Sequence, residues 1–272
     1  DLLDNGILYV AKFNADGSGV WLPLLHGQGG LDAASGFADQ AEVLIKTRQA
    51  ADRVGATKMD RPEWVAVHPT TKEVYTTLTN NSQRGGTGRA PTDAMNPRAS
   101  NVFGHIIRWR EAGNDAAGLT FAWDIFVQCG DPANADANKK GNIKGDIFGS
   151  PDGLWFDPNG ALWIQTDVST SVIGTGDYAN IGNNQMLACN PQTGEVRRFL
   201  TGPTNCEITG ATWTPDGRTM FINIQHPGEN ASDRSDPANP NKFSNWPDYK
   251  SGGRPRSSTV VIRKVDGGVI GT

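Results

Sequence analysis

The sequence predicts an all-β protein, a β-propeller with one short helix and long surface loops. Two observations carry this prediction: a strand–turn–strand pattern occurs three times, and 33 glycines and 16 prolines are spread over 272 residues. Glycine and proline at this density are typical of turn-rich β proteins. Residues 1–272 are therefore expected to form a single propeller region.

The repeated pattern consists of an apolar strand, a turn that contains proline, and a second strand rich in aromatic or β-branched residues. In the second and third copies the turns read Pro-Asn-Gly and Pro-Asp-Gly, in which proline presets φ and glycine accepts a positive φ. Each copy is therefore predicted to be a β-hairpin. The three copies are residues 64–79, 153–166 and 210–223.

Further strands are predicted before, between and after the hairpins. They are residues 6–13, 103–110 with 119–128, 185–189 with 194–200, and 258–265. Four strands per unit, recurring at roughly 60 to 80 residues, is the pattern of propeller blades. A β-sandwich with coincidental hairpins is the alternative.

One segment, residues 37–54, is predicted to be helical. Its apolar residues Phe37, Val43, Leu44 and Ile45 fall near helical spacing, and Gly55 follows as a stop signal. Residues 139–145 and 230–256 are polar and contain glycine or proline, so both are predicted to be loops over one face of the disc.

Charge and hydropathy argue against two classes of protein. The net charge is −4, and lysine and arginine are scattered along the chain, whereas a nucleic-acid-binding surface would require a basic patch. No apolar run approaches the roughly 20 residues that a transmembrane helix needs. We therefore expect neither a nucleic-acid partner nor a transmembrane segment.

The cysteines and the first residue leave alternatives open. Cys129, Cys189 and Cys206 are odd in number and lack CxxC spacing, so one disulfide with a free thiol and three reduced thiols are both compatible. The chain begins at Asp1 without a start methionine or a signal peptide. We interpret it as the later portion of a longer protein, the alternative being a processed amino terminus.

Acidic residues recur where the predicted hairpins begin and end. Asp152 and Asp167 bracket the second hairpin, and antiparallel pairing returns both to one edge of the sheet. Glu63 and Glu207 hold the matching entrance positions in the first and third copies. Carboxylates gathered around a propeller channel repel one another unless a cation lies between them, which predicts a hard-metal site. Capping of turns by the aspartates is the alternative.

Other polar residues near the strand ends are candidates for binding. Arg61, beside Glu63, suits an anion held next to a cation, as at a metal–phosphate site, whereas a surface salt bridge is the alternative. Three weaker candidates follow the second strands of hairpins: Asn80 and Asn81 after the first, and His226 after the third. For His226 an ordinary surface histidine is the alternative.

The two remaining histidines of the predicted strands are expected to be structural. His105 alternates within a strand and is expected to be half-buried. His68 precedes a proline at a hairpin turn and is expected to shape that turn.

Six stretches together carry a resemblance to a known family, the PhoX alkaline phosphatases, over nearly the whole chain. They are MDRPEWV (59–65), NVFGHIIRW (101–109), SPDGLWF (150–156), WIQTD (163–167), GPTNCEITG (202–210) and TMFINIQHPGE (219–229). The motifs are long, so the resemblance is specific.

The resemblance implies a bacterial phosphomonoesterase that acts on small phosphate monoesters. The family is exported by the twin-arginine route, which implies a periplasmic or secreted protein, and its propeller carries Ca²⁺ and Fe³⁺ in the channel. By this likeness Arg61 would bind the substrate phosphate with two hydrogen bonds. Glu63, Asp152, Asp167 and Glu207 would be metal ligands, and which ligand binds which ion stays open.

The same resemblance implies that the chain is incomplete. Family members are about twice as long, so this chain would be the carboxy-terminal portion, about three to four blades of a roughly six-bladed ring. The amino-terminal half of the family contributes a cysteine and a further carboxylate to the metals. Open strand edges invite pairing, so the expected partner is that half or another copy of the chain, and activity of the chain alone is doubtful.

Two other functions compete with the phosphatase. A calcium-dependent propeller lactonase or gluconolactonase also places carboxylates around a central metal, but it needs neither Arg61 nor iron. A non-enzymatic propeller binding module would leave the same carboxylates solvated or salt-bridged.

Overall fold

A computed structural model describes residues 5–230, 233 and 236–271 of the chain. In this part there are two short α-helices, α1 (Gln40–Ile45) and α2 (Thr47–Val54), and none of its helices is long and apolar enough to cross a bilayer. The strands are β1 (Tyr9–Phe13), β2 (Ser18–Pro23), β3 (Pro62–Val67), β4 (Val74–Leu78), β5 (His105–Glu111), β6 (Thr120–Gln128), β7 (Lys144–Gly145), β8 (Pro151–Phe156), β9 (Leu162–Thr166), β10 (Gln185–Asn190), β11 (Glu195–Thr201), β12 (Glu207–Trp213), β13 (Thr219–Gln225) and β14 (Ser258–Arg263).

The strands form three sheets that are successive blades of a β-propeller, as predicted. The strand orders are β1-β2-β6-β5-β4-β3 in the first blade, β7-β11-β10-β9-β8 in the second and β12-β13-β14 in the third. Each blade contains one of the predicted hairpins, and its pairing is antiparallel except between β7 and β11. The edge strands β3 and β12 both contact β8, so the blades stand side by side with β3, β8 and β12 innermost.

Local turn chemistry explains why the three hairpins form. Gly160 and Gly217 adopt φ of 86° and 67° in the second and third turns, values that glycine tolerates without a steric penalty. In the first turn the Nδ1 atom of His68 accepts hydrogen bonds from the backbone N–H groups of Thr70 and Thr71, each at 3.2 Å. The structural role predicted for His68 is therefore confirmed.

Two local predictions are wrong. The helix predicted at residues 37–54 starts only at Gln40, where Asp39 caps it, and breaks at Lys46, whose φ and ψ of −91° and 33° are not helical. The predicted stop is confirmed, because Gly55 has a φ of 83°. The predicted loop at residues 139–145 contains the two-residue strand β7.

The other long loop is irregular where it is described. Residues 231–232 and 234–235 of the predicted loop at residues 230–256 lie outside the described residues. In the rest of this segment the regular pairing consists of an isolated bridge between Asp236 and Asn239.

Apolar side chains join the blades. One core packs Tyr75 and Ile106 of the first blade against Leu154 and Ile164 of the second, and another packs the second blade against the third. Cys129, Cys189 and Cys206 are buried in these cores as free thiols. The alternative of three reduced thiols is therefore the one that the structure supports.

Candidate active site

The innermost strand of every blade (β3, β8 and β12) begins with the same backbone arrangement. Two residues before the acidic side chain lies a non-glycine residue with a positive φ, a conformation found at only a few per cent of such residues. A β-bulge follows, and bulges re-aim side chains at the ends of strands. The three pairs are Arg61 (φ 45°) with Glu63, Ser150 (φ 52°) with Asp152, and Asn205 (φ 51°) with Glu207.

Arg61 lies between two of the predicted acidic residues. Its Nε atom donates to Oε1 of Glu63 at 3.2 Å, and its Nη2 atom donates to Oδ2 of Asp167 at 2.7 Å. Burial acts to lower the pKa of Arg61, but the hydrogen bond and charge of Asp167, helped by Glu63, outweigh it and raise that pKa. The side chain is 46% exposed, so the guanidinium is fully charged and accessible to a ligand.

The four predicted carboxylates lie within electrostatic range of one another. Burial, together with the charges of Glu63, Glu207 and Asp167, raises the pKa of Asp152 to about 7 against the opposing effect of Arg61. Burial and the charge of Asp167 also raise the pKa of Glu207. Partly buried, mutually repelling carboxylates favour the binding of a cation.

The donor chemistry fits a hard cation. Carboxylate oxygens are the ligands that Ca²⁺ prefers, in coordination shells of six to eight oxygens. Within the described residues, however, no three His, Cys, Asp or Glu side chains come together closely enough to form a metal-holding group. These residues therefore provide carboxylate oxygens that are spread over three blades.

Of the three weaker candidates, the structure brings two to this centre. Nε2 of His226 lies 3.3 Å from Oε2 of Glu207, and Nδ2 of Asn80 donates to Oγ of Ser150 at 3.3 Å. Asn81 instead donates to Oδ1 of Asp60 at 2.8 Å, on the buried side of the chain.

A buried charged network next to Arg61 was missed by sequence reasoning. Asp60 is fully buried, and its Oδ1 accepts from Nε of Arg84 at 2.7 Å while its Oδ2 accepts from Nδ2 of Asn101 at 3.1 Å. With Asn81, these groups hold the residue that immediately precedes Arg61. In the sequence, the signal for this network was Asp60, an acidic residue that directly precedes Arg61 in the MDRPEWV motif.

His105 is fully buried, so the prediction that it is half-buried is wrong. Its Nε2 atom lies 2.8 Å from the carbonyl oxygen of Met95, and its Nδ1 atom lies 3.1 Å from Nδ2 of Asn101. Burial, with the nearby charge of Arg98, lowers the pKa of His105 to about 4. His105 is therefore a neutral member of the network behind Arg61.

Together, the fold and the site define a β-propeller protein that gathers one arginine and four carboxylates near the starts of its inner strands. The family model described as "Alkaline phosphatase PhoX" matches residues 1–228. The chain belongs to the PhoX alkaline phosphatase family, as its motifs predicted.

A solved structure is similar to the whole chain. It is described as "Pseudomonas fluorescens PhoX in complex with vanadate, a transition state analogue", and it is 49% identical with a TM-score of 0.89. The match covers 100% of this chain and 46% of that chain, so the present chain spans less than half the length of that PhoX. A comparison with curated proteins found no match.

Proposed function

We propose that the chain supplies part of the active site of an alkaline phosphatase that hydrolyses small phosphate monoesters. The observation that carries this proposal is the exposed guanidinium of Arg61, held by Glu63 and Asp167 at the centre of the carboxylate group. Arginine presents paired N–H donors whose geometry matches two phosphate oxygens. Arg61 would therefore bind and orient the phosphoryl group.

The carboxylates would hold Ca²⁺ and Fe³⁺. Glu63, Asp152, Asp167 and Glu207 are the proposed ligands, since their charges act together to raise the pKa values of the more buried members, Asp152 and Glu207. When bound, such ions neutralise phosphate charge and stabilise the attacking and leaving oxygens. His226 would hold Glu207 in place through its Nε2 atom, and Asn80 would hold Ser150.

The comparisons support this proposal. The family is described as an alkaline phosphatase, and the similar PhoX structure is described with vanadate as a transition state analogue. Because this chain spans 46% of that PhoX, we propose that the amino-terminal half of the propeller, or a second copy of the chain, completes the active site. Export by the twin-arginine route to the periplasm or beyond belongs to the same proposal.

The test replaces Arg61 with alanine in the longest natural chain that contains these residues. Hydrolysis of p-nitrophenyl phosphate at alkaline pH, with calcium and iron supplied, should fall by about 10²–10³-fold, the loss typical of removing one donor to the reacting group. The inhibition constant of inorganic phosphate should rise in parallel. Arg108→Ala, which removes an arginine paired with Asp124 on the first blade, is the matched control.

The two competing functions have different outcomes in the same experiment. A lactonase would hydrolyse a sugar lactone with calcium alone and would retain its rate in Arg61→Ala. A binding module would hydrolyse neither substrate. Either result in a chain that holds calcium and iron would contradict the phosphatase proposal.

A further inference from the structure

A cavity of about 370 Å³ lies between the first and second blades, at the end where Arg61 and the carboxylates meet. We call it the interblade pocket. It is formed by the loop between β4 and β5, the entrance to β8, and the loop between β9 and β10. Its lining residues are Asn80, Ser82, Val102, Ser150, Ser169, Val172, Thr175, Gly176, Asp177 and Tyr178. All of them belong to blades that this chain itself provides.

The interblade pocket adjoins the arginine–carboxylate centre directly. The carbonyl oxygen of Ser150 accepts a hydrogen bond from the backbone N–H of Asp167 at 3.0 Å. Asn80 follows Thr79, whose backbone N–H donates to the carbonyl oxygen of Arg61 at 3.0 Å. One lining residue, Ser150, thus contacts Asp167 through the backbone. Another, Asn80, is the chain neighbour of the residue that contacts Arg61, the partner of Asp167 in the 2.7 Å ion pair. The pocket therefore lies beside the strand ends that carry Arg61 and Asp167.

The pocket wall is rich in hydroxyl groups. Ser82, Ser150, Ser169 and Thr175 all line it, together with the phenol of Tyr178. The phenol is fixed, since it donates to the carbonyl oxygen of Val102 at 2.8 Å and lies 2.7 Å from Oγ of Ser150. Hydroxyl groups act as both donors and acceptors, so they match other hydroxyl groups.

The charge in the wall is compensated. Asp177 is the acidic residue of the lining, and Nζ of Lys139 donates to its Oδ1 atom at 2.8 Å. Val102 and Val172 supply apolar surface, as in most small-molecule pockets, where a few polar groups on an apolar wall set the orientation. A neutral ligand with several hydroxyl groups fits this wall better than an anionic or a purely apolar one.

We propose that the interblade pocket binds the alcohol part of the phosphate ester and selects hydroxyl-rich alcohols, such as sugars and polyols. The proposal rests on the phosphatase function proposed above. It assigns the exposed hydroxyl groups of Ser82, Ser169 and Thr175 to recognition of the leaving group, and Val172 to the rim of the pocket.

The test fills the rim of the pocket with Val172→Trp. Val172 is 38% exposed, so a larger side chain can be accommodated without disturbing a core. In the longest natural chain that contains these residues, kcat/KM for glucose 6-phosphate should fall by about 10-fold or more, a usual loss when pocket contacts are removed. Methyl phosphate, which is too small to reach the pocket, should keep its kcat/KM. Val265→Trp, on a fully exposed residue after β14, is the control.

A binding measurement separates this proposal from the phosphatase proposal. Saturation-transfer NMR with glucose 6-phosphate should show transfer to the sugar protons in the parent protein and a loss of that transfer in Val172→Trp. Transfer without hydrolysis of any ester would overturn the phosphatase and keep the sugar pocket. Hydrolysis with an unchanged ratio of the two substrates in Val172→Trp, or the absence of transfer to the sugar protons, would overturn the pocket.

Discussion

At the residue scale, Asp60 and Arg61 are neighbours in opposite environments. The Asp60 carboxylate is fully buried against Arg84, whereas 46% of the Arg61 side chain is exposed. The backbone of Arg61 has a positive φ of 45°, and such strain persists only where the surroundings over-determine it. The buried ion pair provides that constraint, because it fixes the residue immediately before Arg61.

Removal of one member of this buried pair should be strongly destabilising. Arg84→Met leaves the Asp60 charge buried and unpaired, so we expect a loss of about 3–5 kcal/mol in the free energy of unfolding. Arg108→Met breaks an exposed pair with Asp124 and should lower it by less than about 1 kcal/mol. Denaturant unfolding of the two variants checks this. Equal losses would show that Arg84 contributes no more than a surface charge.

His105 should make stability depend on pH in a defined window. Its pKa is about 4 in the folded chain, below the 6.5 of an unperturbed histidine, so between these values the unfolded state binds one more proton. Stability is therefore fully present above pH 6.5 and falls as the pH drops towards 4, by on the order of 3 kcal/mol.

The variant His105→Gln isolates this contribution. Glutamine can still donate to the carbonyl oxygen of Met95 and accept from Asn101, but it does not titrate. The difference in unfolding free energy between parent and variant should vary between pH 6.5 and 4 and stay constant from pH 7 to 8. A difference that is flat across the whole range would contradict the argument.

The sequence allowed part of the candidate site to be predicted at this scale. Antiparallel pairing places both ends of a hairpin at one edge, so the proximity of Asp152 and Asp167 could be inferred, while their role as ligands stays a prediction. The Asp60–Arg84 pair could not be inferred, because its members lie 24 positions apart, on either side of the first hairpin, where no strand register relates them. Asn81 was grouped with Asn80 for the same reason: within a turn, no periodicity tells which side a residue faces.

At the scale of elements, turn chemistry decided what could be predicted. The tripeptides Pro-Asn-Gly and Pro-Asp-Gly specify a chain reversal locally, and the second and third hairpins that they predict are present. The pairing of β7 with β11 depends instead on a contact between distant segments, and no proline or glycine in the sequence marks the break at Lys46. Ser150 and Asn205 also have positive φ values although neither is a glycine, so the sequence does not indicate this conformation. The geometry that the strand entrances share is therefore visible only in the structure.

The close approach of β5 to the end of β4 depends on Gly104. This residue has a φ of 73°, and a Cβ atom there would lie 2.1 Å from the carbonyl oxygen of Thr79. Gly104→Ala should therefore lower the free energy of unfolding by more than about 2 kcal/mol, through both backbone strain and a steric clash.

A second glycine separates these two causes. Gly113 has nearly the same φ, 69°, but a Cβ atom there would meet nothing within 4 Å. Gly113→Ala should therefore lower the unfolding free energy by only about 1 kcal/mol, the strain alone. Thermal unfolding of both variants checks the difference. Equal losses would contradict the claim that the steric clash at Gly104 adds to the backbone strain.

At the scale of the whole molecule, apolar cores fill the spaces between neighbouring blades. The face of the first blade that points away from the second blade is not covered in this way. Val65 and Val67 of β3 are 57% and 52% exposed, and they project to the same side because strand residues alternate. A cavity of about 670 Å³ on this face is lined by Val65 together with Tyr9, Trp21 and Trp109. Contiguous exposed apolar surface of this kind marks a contact site.

The chain by itself should therefore associate through this face. Light scattering after size-exclusion chromatography should show a mass that rises with protein concentration, because an open propeller segment exposes surface that a neighbouring blade would cover. The double variant Val65→Lys, Val67→Lys should remain monomeric, since desolvating two lysines opposes contact. The matched double variant Leu44→Lys, Ile45→Lys changes two exposed apolar residues of α1 and should associate like the parent. A parent chain that stays monomeric at every concentration, or association that survives in the β3 variant, would show that this face does not drive contact between copies.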